Sequence, residues 1–170
     1  MYKRIFLFTL IAGIASLAFA KEPSMQVEKA YSMISKGQYE AAEVYAKQAH
    51  EQSQKDGDRY NLGEALVALG LVYKTKQMSR FEESIINLRH AIAVFKSINY
   101  YAGISKAKFA LGSAFGTIND TDRQCDMYQE SLEDYAEGKK LNPDEAFVYN
   151  VFAYSSFEEQ VNDFIKKHCG

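Results

Sequence analysis

The side chains in this chain best suited to nucleophilic, acid–base or metal chemistry are three histidines and two cysteines. His50 and His90 fall in separate helical segments, where a surface position is expected. Neither stands in a Ser/His/Asp or Cys/His arrangement that spacing alone would bring together. His168 and Cys169 are adjacent and offer two metal donors, but a metal site needs further ligands. A plain tail is the simpler reading, so no metal ligand and no cofactor is assigned. Gly63, Gly70, Gly103, Gly112 and Gly116 are scattered through helical segments instead of gathered into a phosphate-binding loop. The chain is therefore not expected to be an enzyme.

Cys125 and Cys169 admit a different chemistry. In an oxidising compartment a disulfide between them is permitted, provided the fold brings their Cα atoms within about 7 Å. The alternative is a packed Cys125 and a loose Cys169.

Export is suggested by residues 1–20. Lys3 and Arg4 precede an apolar run from Ile5 to Leu17, and Ala18-Phe19-Ala20 forms a small-x-small cleavage site, the pattern of a secretory signal peptide. A retained anchor is the alternative, but spanning a bilayer takes about 20 apolar residues, more than this run supplies. Cleavage after Ala20 would leave residues 21–170, one domain of 150 residues with 18 basic and 22 acidic side chains. A net charge of −4 with no basic cluster beyond Lys139-Lys140 and Lys166-Lys167 argues against nucleic acid and anionic membranes as partners. The expected location is periplasmic or secreted.

Helical periodicity runs through this domain. Val27, Ala30, Tyr31 and Ile34 form a stripe ending at Gly37, a residue suited to a helix C-terminus. A helix from about Tyr39 to Gln54 carries Ala42, Ala46 and Ala49 on one side, small residues that let another helix approach closely. After the Asp56-Gly57-Asp58 turn come the stripes Leu62, Leu66, Leu69, Tyr73 and Phe81, Ile85, Leu88, Ile92, Phe95. Ser79 is expected to cap the second of these, with Glu82 and Glu83 in its first turn. Beyond Asn99-Tyr100, Ala107, Leu111, Ala114 and Ile118 mark a fifth helix. Asn119–Asp122 makes a turn and cap, and Cys125, Tyr128, Leu132 and Tyr135 mark a sixth helix, ending near Pro143.

An internal repeat underlies these stripes. Leu69-Gly70-x-x-Tyr73 and Leu111-Gly112-x-x-Phe115 share one form with their glycines 42 residues apart, and Ala30-x-x-Met33 stands 40 residues before Gly70. Helix pairs repeating at such a period signal an α-solenoid. With Gly37-Gln38-Tyr39 opening an alanine-striped helix, the pattern resembles the tetratricopeptide repeat (TPR) family, in a form longer than its usual period of about 34 residues. The resemblance implies an all-α solenoid of three helical hairpins over residues 23–57, 58–99 and 100–142, plus a C-terminal capping helix in a partial unit at 143–170.

In TPR arrays the first helix of each pair lines a concave groove that takes an extended peptide or a partner helix. The resemblance places Val27, Tyr31 and Ile34, then Glu64, Val67, Leu71 and Lys74, then Lys106, Phe109 and Ser113 in that groove. It would be apolar along its middle, with Lys74 and Lys106 at its sides. Leu71 and Ser113 stand where the family's carboxylate-gripping groove needs asparagines, so that clamp is expected to be absent. The alternative is that Val27, Val67 and Leu71 simply pack against neighbouring helices. At the C-terminus one long helix over 144–168 is expected, with Val148, Tyr149 and Phe152 on the side opposite Phe157 and Val161. Aromatics in such a patch suit an interface with another subunit or protein. Together these features predict an exported protein–protein interaction module. The alternatives are a self-associating structural subunit, possible as a homodimer, and, less favoured, a small-ligand or metal binder.

Overall fold

A computed structural model describes residues 21–143 and 154–170. The expected leader at 1–20 and the patch residues Val148, Tyr149 and Phe152 lie outside the described residues. Those described form seven α-helices: α1 (Met25–Ser35), α2 (Tyr39–Asp56), α3 (Arg59–Tyr73), α4 (Phe81–Ser97), α5 (Tyr101–Thr117), α6 (Thr121–Leu141) and α7 (Phe157–His168). No strand occurs among them, and no helix among them is long and apolar enough to cross a membrane.

The turns explain where each helix stops. Gly37, Gly57, Ser79, Asn99 and Asn119 each adopt a left-handed backbone, one in each of the first five connections. In four of these the amide just past that residue reaches back to a carbonyl in the last helical turn: Gln38 to Met33, Asp58 to Ser53, Tyr100 to Phe95 and Asp120 to Phe115. This bond closes the helix end and reverses the chain in a few residues. Asp58 and Asp120 then start α3 and α6 by accepting from the amides of Asn61 and Arg123, at 3.0 and 3.2 Å. The α3–α4 connection is longer, and Ser79 does not cap α4 as expected. Its hydroxyl donates to the Lys76 carbonyl, while Arg80 holds the cap position without a side-chain cap and pairs with Glu83.

The repeated small residues mark where paired helices touch. A Cβ on Gly70 would sit 2.4 Å from Leu88, and one on Gly112 would sit 2.7 Å from the Tyr128 ring. Ala30 occupies the corresponding place in the first pair and shares a cluster with Ala42 and Ala46. Each helix from α1 to α6 packs against its neighbour in sequence, α1 and α5 both also meet α3, and α7 lies on α6. The consequence is a division into inner and outer helices. Eleven of the fifteen residues of α3 and twelve of the seventeen of α5 are buried, against four of eighteen in α2 and five of seventeen in α4. The main core, around Leu66, Val67, Leu88, Phe95, Leu111 and Phe115, is built on α3, α4 and α5.

Candidate functional site

The contacts of α3 with α1 and α5 align side chains from three helices on one face. Midway along it is Glu64, only 2% exposed. The Tyr31 hydroxyl of α1 donates to Glu64 Oε2 at 2.9 Å, and Lys106 Nζ of α5 lies 2.5 Å from both carboxylate oxygens. Lys106 also lies 5.6 Å from the centre of the Tyr31 ring. A buried charge is tolerable when paired and hydrogen-bonded in this way. Lys106, expected at the side of a groove, pairs with Glu64 and links α3 to α5.

At the other end of α3 the pattern differs. Lys74, the half-buried residue that closes α3, donates from Nζ to Ser113 Oγ of α5 at 2.6 Å. That hydroxyl is the sole partner of its ammonium among the described residues, with no carboxylate beside it. Burial alone pushes the Lys74 ammonium down from 10.5 to about 8. Behind Ser113, the Tyr128 phenol is hydrogen-bonded by Ser113 and by Gln124 Nε2, the latter at 3.1 Å; burial raises the phenol above its ordinary value despite these bonds. An uncompensated ammonium backed by a neutral hydroxyl chain can receive an anion, and Leu71 beside it is half-buried.

The other expected groove residues are distributed differently. Val27 and Val67 are fully buried packing residues. Phe109 is 7% exposed and α7 is part of its cover: its ring lies 5.9 Å from Phe157 and 5.1 Å from Phe164. Periodicity places a residue on a helix face but does not count the neighbours around that helix. The inner helices α3 and α5 are enclosed on more sides than one stripe suggests.

Two polar centres escaped the sequence reading. Lys108 is buried on another side of α5 and pairs with Glu130 and Asp134 of α6, at 2.7 and 2.6 Å. Burial works against its charge, but the two carboxylates outweigh it and raise its pKa. The spacing of those acids on α6, opposite a lysine in an apolar run, was the available signal. Glu43 of α2 likewise collects the Tyr73 hydroxyl, Arg80 and Lys47 at 2.7–2.9 Å. Burial tends to raise the Glu43 carboxyl, and these bonds hold it below its ordinary value.

The C-terminal region settles two alternatives. Cys125 and Cys169 form a disulfide with Cα atoms 5.8 Å apart, which removes the Cys169 sulfur from any thiolate metal site with His168. His168 is exposed beside Phe164, His90 is exposed, and His50 is half-buried with its pKa lowered first by burial and then by His90. Among the described residues no group of three or more His, Cys, Asp or Glu is placed to hold a metal. A single helix over 144–168 is also ruled out at residues 154–156. Ser156 caps α7 by accepting from the Glu159 amide at 3.0 Å, and the Ser155 amide donates back to the Glu159 carboxylate at 2.8 Å. This reciprocal cap starts a new helix at Phe157, and Ser156-x-x-Glu159 was its legible signature.

No family model, curated protein or solved structure matches the chain.

Proposed function

We propose that this is an exported, TPR-like α-solenoid that binds a protein partner on the face shared by α1, α3 and α5. The stacking of those three helices, the paired small residues at Ala30, Gly70 and Gly112, and the repeated turn bond support the solenoid reading. The observation that carries the binding reading is Lys74, a half-buried ammonium held by Ser113 and, among the described residues, left without a counter-charge on that face. Burying a cation this way is costly to folding, and an acidic side chain from a partner would offset that cost. Leu71 would supply apolar contact beside it, while Tyr31, Glu64 and Lys106 hold the face in shape. An extended peptide or helix carrying an aspartate or glutamate next to apolar residues is the partner class that fits.

Peptide display against the mature chain, residues 21–170, tests this reading. The expected result is enrichment of acidic-apolar peptides whose binding falls at least tenfold in Lys74→Met and is unchanged in Lys139→Met, an exposed lysine at the end of α6. Enrichment without acidic residues, or equal binding to Lys74→Met, would overturn it.

A further inference from the structure

We propose that α7 is a redox-released strap: the Cys125–Cys169 disulfide holds it over the aromatic surface of α5 and α6, and reduction by a dithiol frees it. Among the described residues every helix from α1 to α6 packs against at least two others, whereas α7 lies on α6 and against the Phe109 ring of α5. Among the described residues it is fastened at two places. Along its length Phe157, Val161 and Phe164 meet Phe109, Tyr128 and Tyr135. One residue past its end, Cys169 is tied to Cys125 in the second turn of α6.

The first fastening is incomplete. Gln160 is 6% exposed and its Oε1 has no hydrogen-bond partner, a buried acceptor that water would satisfy on release. Phe164 and Ile165 remain half-buried, and Lys166, Lys167 and His168 stand in solvent. A twelve-residue helix has little stability of its own, so the covalent tie decides whether this one stays down. Both sulfurs belong to half-buried residues, within reach of a small thiol. In the exchange the dithiol loses two electrons and two protons and becomes a disulfide, while Cys125 and Cys169 become thiols. Cys125 stays in α6; Cys169 leaves with α7. Release exposes the sides of Phe109, Tyr128 and Tyr135 that pack against α7, and Tyr128 is hydrogen-bonded to the Ser113 that holds Lys74.

Hydrogen exchange of the full mature chain, with and without excess dithiothreitol, tests the proposal. Reduction is expected to speed exchange over residues 157–168 at least tenfold while amides of α3 and α4 change less than twofold. Cys125→Ser with Cys169→Ser should behave like the reduced protein without any reductant; should that variant fail to fold, the reduced wild type carries the test. Unchanged protection of α7 on reduction, equal loss across all helices, or a bond that resists the dithiol in the folded chain would each overturn it.

Discussion

Lys106 and Lys74 sit on the same three-helix face, both half-buried and both reaching across the α3–α5 contact, yet they meet opposite environments. Lys106 finds a buried carboxylate that also receives the Tyr31 hydroxyl, and the three side chains tie α1, α3 and α5 together. Lys74 finds a neutral serine. The first arrangement is closed, its charge spent on holding the fold. The second, among the described residues, meets no opposite charge. A cation that lowers stability persists most readily where a partner uses it, and this distinguishes the structural end of the face from the proposed binding end.

The comparison can be broken most forcefully at Glu64. Glu64→Ala leaves the Lys106 ammonium and the Tyr31 hydroxyl without their acceptor, and a loss of about 3–5 kcal/mol in urea unfolding is expected. Lys106→Met strands the same carboxylate from the other side; because Lys106 keeps some solvent contact, about 2–4 kcal/mol is expected. Lys74→Met should act in the opposite direction. It removes a desolvated, unpaired charge and should stabilise the chain at pH 7 by about 1–2 kcal/mol, discounted for partial exposure.

The pH profile carries the same sign. The Lys74 pKa is near 8 folded and 10.5 unfolded, so the unfolded state binds the extra proton between those values. The penalty is fully present below pH 8 and is relieved as pH rises toward 10.5, a rise in stability that Lys74→Met should lack. The smallest effect is expected for Tyr31→Phe, about 1 kcal/mol for one hydrogen bond to a charged acceptor that keeps Lys106. A Lys74→Met variant less stable than wild type at pH 7 would erase the distinction between the two lysines.

Much of the frame was legible in the sequence because it depends on local rules. Gly37 and Gly57 end α1 and α2 through backbone freedom, Asp120 caps α6, and Gly70 and Gly112 mark close helix contacts at matching positions. What escaped depends on distant partners. Glu64 and Lys106 were both read as residues of one face, but their pairing was not, because 42 residues separate them and periodicity says nothing of register between helices. Phe109 was read as lining a groove because the helix that covers it begins 48 residues later. Ser79 misled because it lies one residue ahead of the cap position and takes the left-handed turn itself. The disulfide was permitted by composition, but only the docking of α7 on α6 brings the two cysteines together. Its closure across 44 residues stabilises by about 4 kcal/mol in a chain-entropy view.

The most direct test is an NMR titration of the Lys74 side-chain amine in a chain of residues 21–170, assigned by its absence in Lys74→Met. The account predicts a midpoint near 8 for Lys74. A midpoint at the ordinary lysine value, about 10.4, would mean that the Lys74 ammonium is solvated or already paired, and the open end of the face would lose its claim to a partner.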